Sequence, residues 1–71
     1  MKREQLLSAI RKWCRKNDIA FAANTIGGKG SHIKVYVGAD RWTIVKSGEL
    51  SSLYVDTILK QLDIPREAIK R

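Results

Sequence analysis

His32-Ile33-Lys34-Val35-Tyr36-Val37-Gly38-Ala39-Asp40-Arg41-Trp42-Thr43-Ile44-Val45-Lys46 is the stretch that decides the fold. Its first six residues alternate strictly. Ile33, Val35 and Val37 share one side and His32, Lys34 and Tyr36 the other, the period of a strand with one buried face. Gly38-Ala39-Asp40 is a compact turn. From Arg41 to Lys46 the alternation resumes, with Trp42 and Ile44 on one face and Arg41, Thr43 and Val45 on the other. Two strands joined by so short a connection run antiparallel.

Working outward from this hairpin, residues 24–30 carry Gly27, Gly28 and Gly30 and read as a loop or a loose turn. Ile19 to Ala23 precedes it, with Ile19, Phe21 and Ala23 on one face, and is expected as the first strand. Further upstream, Leu6, Leu7, Ile10, Trp13 and Cys14 form a single apolar stripe at helical spacing. Asn17-Asp18 is expected to end that helix. Downstream, Ser47-Gly48-Glu49 breaks the strand pattern. A second helix is expected from about Ser52 to Leu62, where Val55, Ile58, Leu59 and Leu62 recur at helical spacing. Ser51 or Ser52 suits its N-cap and Asp56 its first turn. Pro65 is placed to open a last short turn containing Ile69.

These segments predict a single α+β domain over residues 1–71, in the order α-β-β-β-α. A three-stranded antiparallel sheet is covered on one face by two amphipathic helices. The opposite face is expected to be open and to present His32, Lys34, Tyr36, Thr43 and Arg41. Trp13, Trp42, Phe21 and Cys14 are expected in the core.

Composition narrows the function classes. The chain has 71 residues and carries 14 Lys and Arg against 7 Asp and Glu, a formal charge of +7. Such a field draws in phosphate backbones, and it would equally suit an anionic membrane surface or an acidic protein. No stretch approaches the roughly 20 apolar residues that span a bilayer. Arg11 and Lys12 interrupt the apolar positions near the N-terminus, which argues against a secretory signal and for a cytoplasmic protein. One cysteine, Cys14, excludes an internal disulfide. With a single histidine as well, no set of zinc ligands is available, and neither a metal nor another cofactor is expected.

His32 is that histidine, the side-chain type suited to proton transfer near neutral pH. It follows Gly30-Ser31 at the start of the central strand. Lys34 is two residues on along the same face, about 7 Å away, and Lys29 precedes His32 in the loop. A histidine flanked by cations can move a proton while the cations neutralise a phosphodiester. Tyr36, about 13 Å from His32 along the strand, is too far to share that proton but could stack an unpaired base. Ser31 points away from His32 and reads as a turn residue, not a nucleophile. Gly27-Gly28-Lys29-Gly30-Ser31 lacks both the spacing of a phosphate-binding P-loop and the helix that follows one.

Three groups of residues also carry a family resemblance. They are Gly30-Ser31-His32 opening the second strand, the hairpin through Asp40 into Arg41-Trp42-Thr43-Ile44-Val45, and Ile58-Leu59-Lys60-Gln61-Leu62 in the last helix. With these the chain resembles, over nearly its whole length, the HicA (YcfA-like) mRNA interferase toxins, which have a double-stranded-RNA-binding-domain-like fold. The resemblance implies the toxin of a type II toxin–antitoxin system, an endoribonuclease that cleaves mRNA and is neutralised by a HicB-like antitoxin. It assigns the catalytic role to His32. Lys29, Lys34, Tyr36, Arg41 and Lys46 are the candidate RNA-binding residues. Many members carry a proline and a further histidine just after the third strand, where this chain reads Val45-Lys46-Ser47. The family's Pro-Gly-Thr pattern before the last helix is replaced by Glu49-Leu50-Ser51-Ser52.

Two other functions fit the same fold. A non-catalytic RNA-binding module would place a lysine cluster at the start of the last helix, whereas this chain reads Ser51-Ser52-Leu53-Tyr54-Val55 there. A basic interaction protein would need only an acidic protein partner.

Overall fold

The computed structural model describes residues 1–25 and 32–69. It contains α1 (Arg3–Lys16), β1 (Phe21–Thr25), β2 (His32–Val37), β3 (Arg41–Lys46) and α2 (Ser52–Gln61), followed by a 3-10 turn at Arg66–Ala68. The strands form an antiparallel sheet in the order β1-β2-β3, so the α+β architecture expected from the sequence is the one observed.

The core lies between the sheet and the helices. Leu6, Ile10 and Cys14 line one stripe of α1, and Val55, Ile58 and Leu59 line one stripe of α2. They close over Val35, Val37 and Val45 from the sheet, with Leu50, Leu62 and Ile64 completing the cluster. Trp13 and Phe21 pack partly against it and Cys14 is fully buried. The chain before α1 is tied to the β3–α2 connection: the Leu50 amide donates to the Met1 carbonyl at 2.7 Å and the Arg3 amide to the Gly48 carbonyl at 3.2 Å.

Both helices end in the same way. Asp18 and Asp63 adopt left-handed backbone, with φ of 58° and 56°. After α1, the Asp18 amide donates to the Arg15 carbonyl at 3.3 Å and the Ile19 amide to the Cys14 carbonyl at 2.8 Å. After α2, Asp63 donates to Lys60 at 3.2 Å and Ile64 to Leu59 at 2.9 Å. This is the paired-bond Schellman stop, with aspartate at the position glycine usually occupies. It explains why β1 starts at Phe21 instead of the expected Ile19, whose amide is spent on the helix end. Ser51 caps α2, its hydroxyl accepting from the Tyr54 amide at 3.2 Å. Asp56 is not in the first turn of α2 as expected; it lies further along and pairs with Arg66 at 3.3 Å. Pro65 opens the 3-10 turn, which packs against α1.

The open face of the sheet differs from expectation in one respect. Register pairs Val37 with Arg41, Val35 with Thr43 and Ile33 with Val45, and residues directly opposite in an antiparallel pair share a face. Arg41 and Thr43 therefore lie on the helix side with Val45. Polarity suggested the other side, but both polar groups find partners there. The Thr43 hydroxyl donates to Gln61 Oε1, and the Arg41 guanidinium reaches Asp63 at 3.2 Å. Trp42 correspondingly leaves the core for the open face, where it is 52% exposed.

Left-handed positions should respond to substitution with opposite signs. A left-handed non-glycine residue costs about 1 kcal/mol, and Asp18 also sets a negative charge at the negative end of α1. Asp18→Gly should raise unfolding stability by about 0.5–1 kcal/mol. Gly38 has φ of +72°, and a Cβ there would sit 3.2 Å from the Arg41 guanidinium, so Gly38→Ala should cost about 1–2 kcal/mol. Urea denaturation measures both.

Burial pushes the Cys14 thiol above its ordinary value of 9.0, against a smaller downward pull from Arg41. The unfolded chain then ionises first, so this thiol withdraws stability as pH rises past that value. Wild type should lose more stability than Cys14→Ala between neutral and alkaline pH, and native Cys14 should react with a thiol reagent only on unfolding.

Candidate functional site

Three side chains of β2 point away from the helices, and cross-strand pairing gives each a neighbour. His32 faces Lys46, Lys34 faces Ile44, and Tyr36 faces Trp42. From β1, Asn24 lies beside Lys34 and Ala22 beside Tyr36. The result is a surface with His32 and Lys46 at one end, the Tyr36 and Trp42 rings at the other, and Lys34 between them with its ammonium turned toward the rings. Among its described residues there is no carboxylate.

The cationic end is organised from below. Cα atoms directly opposite in such a sheet are about 5 Å apart, so His32 and Lys46 can act on one small group. Tyr54, half-buried on α2, reaches around the outer edge of β3. Its hydroxyl accepts from the Lys46 amide at 3.0 Å and donates to the Ile44 carbonyl at 3.4 Å. The Lys46 ammonium lies 5.0 Å from the centre of the Tyr54 ring. Helix, edge and cation are thereby tied together beside the exposed His32.

At the aromatic end the Lys34 ammonium sits 4.2 Å from the Trp42 ring centre and 5.3 Å from that of Tyr36. Cation–π contacts of this kind contribute about 0.5–1 kcal/mol at exposed sites. They also fix the direction of the Lys34 stem across the sheet, keeping its charge on the face.

His32, Lys34, Tyr36 and Lys46 are thus brought together on one surface. Arg41 is not: it belongs to the helix side and is engaged by Asp63. Lys29, Gly30 and Ser31 lie outside the described residues. Sequence reasoning missed Trp42. Its alternation with Val45 already put it on the open side, but its size argued for the core. A separate groove of about 950 Å³ lies between α1 and the C-terminal turn, lined by residues including Trp13, Lys12, Lys16, Glu4 and Glu67. It carries both signs of charge and is on the helix side of the molecule.

Chemically, the open face offers a group able to accept or donate a proton, with Lys46 directly across from it to neutralise an anion, and further along a second ammonium over two rings able to stack a planar partner. Compared with known proteins, the chain matches no family model, no curated protein and no solved structure. No helix among the described residues is long and apolar enough to cross a membrane.

The separation of Arg41 from Lys46 is open to a stability test. Arg41→Ala removes the pair with Asp63 and should cost about 0.5–1 kcal/mol. Lys46→Ala should stay within about 0.5 kcal/mol of wild type, since its contacts are at the surface. Urea titrations of the two variants decide whether the residues have these different jobs.

Proposed function

We propose that this protein is a cytoplasmic endoribonuclease of the HicA type, a toxin that cleaves mRNA at His32 and is held in check by a HicB-like antitoxin. The observation that carries the reading is His32 itself. It is exposed at the head of β2, directly across from Lys46 and on the same side as Lys34, on a face without described carboxylates. Family resemblance supplies the expectation of RNA cleavage, and the chemistry of these side chains is compatible with it.

RNA brings its own nucleophile, the 2′-hydroxyl. His32 takes the proton of that hydroxyl as it attacks phosphorus, or returns one to the departing 5′-oxygen. Lys46, directly across from His32, offsets the negative charge that builds on the phosphoryl oxygens, and Lys34 attracts the adjoining phosphate of the strand. No cofactor enters these steps. An antitoxin seated on the open face would block the proton-transfer group and the RNA path with a single contact.

Controlled expression in cells tests the reading. Wild type should arrest growth and deplete mRNA, whereas His32→Ala should do neither, with cleavage by the pure protein falling at least about 100-fold. A fully toxic His32→Ala would sink the proposal. RNA binding by pure wild type without cleavage would favour the non-catalytic RNA-binding module.

A further inference from the structure

We infer that Trp42 is a stacking platform for an unpaired base of the nucleic acid strand whose phosphodiester lies at His32, an inference that rests on the RNA reading proposed above. The starting observation is its position. Trp42 is 52% exposed, and Ile44, two residues along on the same face, is 43% exposed. With Tyr36 directly opposite Trp42, they form a contiguous apolar and aromatic strip. The core is already closed on the other side of the sheet, so the indole is not needed there.

Charge complementarity selects the occupant. The strip is bordered by Lys34, whose ammonium rests 4.2 Å from the Trp42 ring centre, and further along by Lys46. An apolar ring surface under cations, with no described carboxylate on the face, matches a strand that alternates bases with phosphates. An unpaired base has a free π-face, whereas a duplex keeps its bases stacked inside, so the platform takes single-stranded nucleic acid. The path is consistent: the Tyr36–Trp42 pair lies about 13 Å along the sheet from the His32–Lys46 pair. A base arriving on the indole displaces the Lys34 ammonium from the ring and leaves it beside the adjoining phosphate.

A structural role for Trp42 as a cross-strand partner of Tyr36 makes a different prediction, because it would show in stability and not in binding. The test is anisotropy titration of a labelled 2′-O-methyl oligoadenylate, which cannot be cut through its 2′-oxygen. Trp42→Ala should weaken binding about tenfold or more, and Trp42→Phe should retain most of the affinity. The dependence on salt should be unchanged, because no charge is removed. A duplex of equal length should bind more weakly than the single strand. If Trp42→Ala does not fold by circular dichroism, Trp42→Leu takes its place against Trp42→Phe. Wild-type affinity in the variant that lacks an aromatic ring overturns the inference. So does binding of polyglutamate with the same sensitivity to Trp42, which would assign the face to an acidic protein. The two proposals fail separately. Binding through Trp42 by a wild-type protein that cleaves no RNA removes the nuclease and keeps the platform. Cleavage that needs His32 but proceeds at wild-type kcat/KM in Trp42→Ala removes the platform and keeps the nuclease.

Discussion

The pairing of Val37 with Arg41 across the Gly38-Ala39-Asp40 turn is the constraint on which the rest depends. A strand's side chains alternate with period two, so one register step would exchange every residue of β3 between faces. In the observed register Val45 joins Val35 and Val37 under the helices, and His32 meets Lys46. The left-handed backbone at Gly38 helps to set this register, and its amide is anchored to the Ala20 carbonyl at 2.9 Å, ahead of β1. The turn thus governs core and surface together.

Thr43 and Arg41 show how a small domain accommodates polar residues on its packed side. Thr43 is buried, yet its hydroxyl has Gln61 as acceptor. Such a group costs little when bonded and much more when its partner is lost. Arg41, on the same side of the sheet, delivers its charge to Asp63, at the residue that stops α2. Both contacts fasten β3 to the end of the same helix, so polar residues reinforce the attachment that Val45 makes by packing.

Most of the fold was legible because it rests on periodicity. The stripe at Leu6, Ile10 and Cys14, the alternation of Ile33, Val35 and Val37, and the cap at Ser51 are local signals, and each appears as read. The misplacements share a cause, the use of residue character where phase was decisive. Polarity points Thr43 and Arg41 outward and size points Trp42 inward, although all three obey the alternation set by Val45. Their partners, Gln61 and Asp63, lie some twenty residues away in sequence, beyond the range of any local pattern. The start of β1 was missed for a related reason, since the use of Ile19 in ending α1 depends on a left-handed aspartate. For the candidate site, His32, Lys34 and Tyr36 could be placed on one face from β2 alone. The nearness of Lys46 needed the register, and its support by Tyr54 needed the tertiary structure.

The Tyr54 hydroxyl has a consequence for assembly. An edge strand with unpaired amides and carbonyls is a template onto which another chain can add a strand. On β3 the outward groups of Lys46 and Ile44 are already occupied by one phenol. Edge-to-edge growth through this end of β3 must first break both bonds. Among the described residues no side chain occupies the β1 edge in this way, so the two margins of the sheet differ: the end of β3 beside His32 is guarded by a phenol and β1 is not.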